Sequence, residues 1–227
     1  MTTFDFGFGP VPAHQHPNGR GWVADTAHVD DSAYIGPDSQ VSGNARVYDN
    51  AQVYGTAQVS GNARVYGTAQ VSGNARVYGN AQVYGNAQVY GTARVGGDAW
   101  VSGNAQVYGT AWVGDDARVS GDAQVYGTAR VGGNARVYGT ARVGGDARIG
   151  GTAKITRTTD YLLIGPIGSR DACMTWTRFD GCIATGCFRG TVKEFLAAVK
   201  ETHGDNAHAK AYRAAVRLIR MMEKAHD

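Results

Sequence analysis

Residues 51–80 read AQVYGTAQVSGNARVYGTAQVSGNARVYGN, five near-copies of one six-residue phrase. Stepping by six from Val23, every position to Ile155 is Val or Ile, twenty-three in succession. The residue four places after each is Ala as far as Ala153, with Ser39 as the exception, so the unit is V-x-G-x-A-x. A period of six rotates any apolar stripe around an α-helix of 3.6 residues per turn, and a Gly in every unit costs about 1 kcal/mol against Ala there. In an extended Gln-Val-Tyr triplet, alternation buries Val and exposes its neighbours, while Gly-Thr or Gly-Asn supplies a bend. The pattern therefore predicts short strand, turn, short strand, in coils that stack to share a narrow core of Val and Ala.

Over residues 22–155 this pattern resembles the hexapeptide-repeat superfamily. The resemblance implies a left-handed parallel β-helix with three units to a coil, although the Gly falls one position later than in the commonest family motif. At 18 residues per coil the repeats give about 7–8 coils, and at roughly 4.8 Å per strand spacing a column about 36 Å long. Asn44, Asn62, Asn80 and Asn104 are expected where a bend asks for a left-handed backbone, which Asn tolerates. Ladders of Asn or Thr can also bond one coil to the next. The chain thus divides into a lead-in and cap (1–21), a β-helix (22–155) and a C-terminal α+β module (156–227), a mainly β fold.

A net charge of +3 and a pI near 8.8 fall well short of the concentrated basic surface of a dedicated nucleic-acid binder, so no sequence-specific nucleic-acid partner is expected. The N-terminal stretch lacks the basic start and apolar run of a secretory signal, and no stretch approaches the ~18 apolar residues of a membrane span. Cys173, Cys182 and Cys187, odd in number, fit reduced thiols in a cytoplasm. The expectation is a cytoplasmic protein with no membrane partner.

With positions 18 apart stacked, the exposed residues sort by face. One face carries Gln52, Gln70, Gln88, Gln106 and Gln124 before the buried Val, and Tyr54, Tyr90, Tyr108 and Tyr126 after it. It holds no charge until Arg142. A second face presents Arg46, Arg64, Arg118, Arg136 and Lys154, and the third Arg76, Arg94, Arg130 and Arg148 above small Ser or Gly. Identical side chains stack along parallel in-register strands, which accounts for the Gln and Tyr ladders structurally. An uncharged Tyr-rich stripe also has the composition of an association surface, and the resemblance implies trimers with parallel columns, so this face is the expected homotrimer contact. The Arg ladders read as solubilising faces, with recognition of a polyanion as their alternative.

The resemblance further implies acyltransferase or zinc carbonic anhydrase activity, and each requires something this sequence lacks. A transferase uses a His base in a site between subunits, and a carbonic-anhydrase-like site needs several converging His ligands. The repeats hold only His28, near the N-terminal edge. His14 and His16, an H-x-H in a Pro-containing lead-in, fit an irregular cap with Trp22 rather than a metal site. No catalytic residue, metal ligand or cofactor is assigned; a divergent acyltransferase binding acyl-CoA between columns stays the alternative to a binding scaffold, with a purely structural or ice-binding solenoid as a further one. An ice-binding face would want ranks of Thr, but Thr56, Thr92, Thr110 and Thr128 lie at a bend and are interrupted by Asn74.

After Ile155 the rule of six ends. YLLIGPIG and CMTWTRFDGCIATGCF read as strands, the latter a hairpin turning at Asp180-Gly181. Thr191 with Glu194 forms a capping box before one helix, Gly204 ends it, and Asp205 or Asn206 caps a second, reaching Ala225. Such a module caps the open strand edges of the column. It also carries two polar Gly-containing loops, and Gly168, Ser169, Arg170, His203 and Asp205 are the candidate ligand-binding residues, offering N–H groups, a guanidinium and an imidazole to a phosphate or carboxylate. The Cys residues lack a Cys-x2-Cys hook and read as small buried side chains. Through GPIGSR, GCFRGT, EFLAAVKETHGDN and AYRAAVRLI the tail is similar to modules that follow hexapeptide arrays in bacterial and prophage proteins. That resemblance carries no established activity and points only towards a phage-encoded protein acting on host components. The expectation built on it is a non-catalytic anti-defence scaffold in the host cytoplasm, sequestering an anionic nucleotide-like host signal or binding a host protein.

Overall fold

Each Gln-Val, Arg-Val or Trp-Val pair is a two-residue strand, and the pair 18 residues later lies beside it in parallel register, as Gln70 does beside Gln52 and Gln88. Three parallel sheets result in the computed structural model, which describes residues 2–224. Sheet I runs from Trp22–Ala24 to Arg148–Ile149, sheet II from His28–Val29 to Lys154–Ile155, and sheet III from Tyr34–Ile35 to Arg142–Val143. They form a β-solenoid of about seven turns. From Val41 to Val143 every Val of the series and every Ala between them is fully buried, because alternation points both at the axis. The three exposed columns are those the 18-residue spacing predicts. Tyr, however, is not confined to sheet III. Tyr48, Tyr66, Tyr84 and Tyr138 follow the buried Val on sheet II, where the Tyr66 and Tyr84 rings stack with centroids 4.9 Å apart.

The corners correct one expectation. The left-handed backbone belongs to the Gly of each unit, with φ between 57° and 73° from Gly43 to Gly151, and not to the Asn that follows. A Cβ on Gly73 would lie 2.8 Å from the Gly91 carbonyl oxygen, so the corner demands Gly for space as well as for φ. Asp49 and Asp115 are the two departures. Each takes the corner's positive φ itself and accepts a hydrogen bond on Oδ2 from the next coil's Gly67 or Gly133 N–H, at 2.9 and 2.8 Å. Asn instead ties coils together, as the ladder reading predicts: Asn44 donates to Asn62, Asn62 to Asn80, and Asn80 to Asp98 Oδ1 at 2.8 Å. Thr92, Thr110 and Thr128 hydroxyls donate to Gly carbonyls of the following coil at 3.0 Å, so this rank of Thr is spent within the column.

A solenoid must end, and each end is closed differently. Antiparallel strands Thr3–Asp5 and Pro10–Gln15 extend sheet I, with Phe4 stacked 4.6 Å over Trp22. The loop at 16–21 covers the start of sheet III through Ile35 N–H to Asn18 O and Gly21 N–H to Ile35 O. His14 pairs with Asp25 at 2.9 Å while His16 is buried against Asn18 O.

Along the column, backbone donors of one coil meet carbonyls of the next, as Arg46 N–H meets Ala63 O. At the last coil no next coil exists, and side-chain oxygens take its place. Arg142 N–H donates to Thr158 Oγ1, Gly144 N–H to Tyr161 Oη and Arg148 N–H to the buried Thr175 Oγ1. Asp160 accepts from Thr156 N–H and Arg157 N–H at 2.8 and 2.9 Å. Burial alone would push its carboxyl up, but bonds from the Thr156 hydroxyl and these N–H groups outweigh burial and hold it below the usual range.

The C-terminal module is a four-stranded antiparallel sheet, Tyr161–Ile167, Ala172–Thr177, Cys182–Thr185 and Phe188–Thr191, with helices α1 (Val192–His203) and α2 (Ala207–Lys224). The capping box forms as read, and Asn206 rather than Asp205 caps α2, accepting from Ala209 N–H at 3.0 Å. The fourth strand is absent from the sequence reading, which ended the hairpin at Phe188. Ala225, where the second helix was expected to end, lies outside the described residues, as do Met1 and residues 226–227. Among the described residues, no helix is long and apolar enough to cross a membrane.

Candidate functional site

The turn at 169–172, the hairpin turn at Gly186-Cys187, α1 from Phe195 to His203 and Tyr212 of α2 converge on one cleft of about 180 Å³. Ser169, Arg170 and His203, three of the five candidates, line it together with Thr185, Cys187, Thr202 and Tyr212. Arg170 projects its Nη1 to 3.7 Å from the Cys187 sulfur. The His203 ring lies 5.8 Å from that of His208 and 5.9 Å from that of Tyr212, centroid to centroid. Phe195 and Val199 supply an apolar wall.

Gly168 and Asp205 do not line this cleft. Gly168 has φ +79°, and a Cβ there would fall 1.9 Å from Tyr212 Oη, so its role is to let the turn close on Tyr212. Asp205 is turned to α2, where Oδ1 accepts from Arg213 Nη1 at 2.5 Å while Arg213 Nη2 holds Gly204 O at 2.8 Å. That bond and the guanidinium charge lower the Asp205 pKa. Sequence reasoning missed the contribution of Gly186-Cys187, whose signal was the two-residue turn between CIAT and FRGT. It also erred on the thiols. Cys187 is exposed at the cleft, whereas Cys173 and Cys182 are half-buried. Burial, and then Asp146 and Asp180 respectively, push those two thiols up, away from thiolate chemistry.

The nine expected interface residues do share one surface. Gln52, Gln70, Gln88, Gln106 and Gln124 stand in register on sheet III. Tyr90, Tyr108 and Tyr126 form a stack with centroids 4.9 and 5.4 Å apart, and Tyr54 Oη donates to Gln70 Oε1 at 3.4 Å. His28 stands on the first strand of sheet II, 3.3 Å from Asp30 and 5.8 Å, ring to ring, from Tyr48.

The coil geometry has a counterpart among protein families. Five stretches match the YdcK Beta solenoid repeat, at residues 39–55, 57–68, 69–85, 81–97 and 129–145. All five lie in the column and support its being a repeat-based β-helix. No curated protein and no solved structure matches the chain.

Proposed function

We propose that this protein is a non-catalytic β-solenoid scaffold whose C-terminal module binds a small anionic ligand. The observation that carries this reading is the convergence of Arg170, Ser169 and His203 on one cleft from segments 33 residues apart. A guanidinium offers a fork of donors to phosphate or carboxylate, and the hydroxyl and imidazole add two more adjustable donors. At about 180 Å³ the cleft is smaller than the ~300–1,000 Å³ of pockets for drug-sized molecules. It suits the anionic end of a ligand, such as the phosphate of a nucleotide-like host signal, with the remainder outside. Together with the prophage resemblance, this supports a phage-encoded sink in the host cytoplasm, where stoichiometric capture needs no turnover. Thermal shift against inorganic phosphate, mono- and dinucleotides and carboxylates tests it. Arg170→Ala and His203→Ala should each weaken the responding ligand by roughly tenfold or more. No shift with any of them, or full binding by Arg170→Ala, overturns the reading.

Homotrimer formation through sheet III is part of the same proposal, because three columns would present three clefts and gain avidity. The stacked Tyr rings form a flat uncharged strip, supported by the absence of charge on that face before Arg142. Tyr90→Glu with Tyr108→Glu sets two carboxylates one coil apart in that strip, and the mass in light scattering should fall to that of one chain. A mass equal to that of the unsubstituted protein rejects the contact.

A further inference from the structure

On the outer face of sheet I, two chemically distinct stripes run side by side. One is the column Arg76, Arg94, Trp112, Arg130 and Arg148, each in register with the next. The four arginines are exposed, and none lies within 4.0 Å of a carboxylate among the described residues. The other stripe is a floor of Gly96, Gly114 and Gly132, one in each successive coil. Tyr78 lies flat over Gly96, where a Cβ would come 2.4 Å from its ring. Trp112 lies over Gly114 and Gly132, where a Cβ would come 2.0 and 3.0 Å from its indole. Trp112 Nε1 donates to Tyr78 Oη at 3.3 Å across two coils, fixing the two rings as one pavement. The strip ends at Arg189 of the C-terminal module, which donates to Gly150 O at 2.7 Å. Of the bordering acids, Asp98, Asp115 and Asp146 accept hydrogen bonds from Asn80, from Gly133 N–H and from the Thr128 hydroxyl, and Asp116 stands exposed one coil after Asp98.

We propose that this face binds single-stranded nucleic acid without sequence preference. Cations one or two coils apart, about 4.8 or 9.6 Å, flank a rigid aromatic pavement whose glycine floor keeps side chains out of the way. A single strand presents the matching pair of stripes, phosphates along one edge and unpaired π-faces along the other, and every base can stack. A duplex hides those faces. An acidic polysaccharide carries its charge on the sugar rings themselves and has no separate aromatic edge. The strip meets the module cleft at Gly186-Cys187, where Arg148 Nη1 donates to Gly186 O, but it uses none of Ser169, Arg170 or His203 and does not depend on what the cleft binds.

The test is fluorescence anisotropy of labelled 12-nucleotide oligothymidylate and oligouridylate on the full-length protein, across a salt series from 50 mM. Four arginines engaged with phosphates predict a log–log salt slope of about −2.8, falling to about −1.4 in the Arg94→Gln, Arg130→Gln double variant. Trp112→Ala should weaken binding roughly 5- to 100-fold and Trp112→Phe much less, since one ring remains to stack on. Arg170→Ala should leave it unchanged, thermal unfolding of the arginine variants should match the unsubstituted protein, and Trp112→Ala should stay folded at the temperature of the titration. The proposal is overturned by no binding at 50 mM salt, by Trp112→Ala binding as the unsubstituted protein does, or by duplex binding as tightly as single strands. Binding of a polyuronate in place of either oligonucleotide overturns it as well and assigns the face to acidic polysaccharide.

Discussion

A chain cut after Thr156 is expected to grow in mass with concentration in light scattering, as columns join end to end, whereas the full chain keeps one mass. The cut removes Thr158, Tyr161 and Thr175, the oxygens that receive Arg142, Gly144 and Arg148 N–H. It also uncovers the apolar end of the column, where Tyr161 and Leu163 pack on the Val/Ala core. Free donors above a bare apolar end form an open strand edge, and the cheapest partner for such an edge is another strand. The opposite end offers one, since the N-terminal strands and loop cover sheets I and III but leave His28–Val29 as the first strand of sheet II, with Val29 only partly buried. Thr175→Val makes the argument specific. It removes one acceptor at a site 1 % exposed, should cost about 1–3 kcal/mol for the orphaned Arg148 donor, and should leave the chain at its usual mass. A truncated chain of constant mass across concentrations would show that the module does not act as an end cap.

Val89→Asp should open the column at its middle. Val89 is fully buried between Val71 and Val107, in a core that holds only Val and Ala at that level. A carboxylate there meets no partner, and an unpaired buried charge costs several kcal/mol even after relaxation. In a solenoid each coil touches only its neighbours, so the damage stays local in space. Limited proteolysis mapped by mass spectrometry should cut within about one coil of position 89, and the urea midpoint should fall sharply. Val89→Thr, nearly isosteric but with a hydroxyl to satisfy, should cost only about 1–3 kcal/mol. A Val89→Asp chain as resistant to protease and urea as the parent would mean that water reaches the core.

Legibility followed the range of the interactions involved. Thr191 with Glu194 and Gly204 were readable because a helix cap is written within four residues of itself. The Gln and Tyr column of sheet III was readable because a strict period converts sequence spacing into spatial register. The corner conformation was misassigned to Asn for lack of one steric fact, that the Gly Cα packs directly on the next coil's Gly backbone. In the candidate site, Arg170 and His203 were found from loop composition, but Cys187 and Tyr212 joined them only through a hairpin and a helix that bring distant segments together. Asp205 left the set because Arg213, one helical stretch away, competes for it.

Periodicity alone determined that residues 22–155 form a column with a Val/Ala axis and three unlike faces, because each coil repeats the same short-range instruction. Only the tertiary structure decided how the ends close, which loops share the cleft, and that Tyr78 and Trp112, 34 residues apart, lie down together on a glycine floor. Those outcomes rest on which side chains leave space for others two coils or one domain away, and a six-residue period carries no record of that.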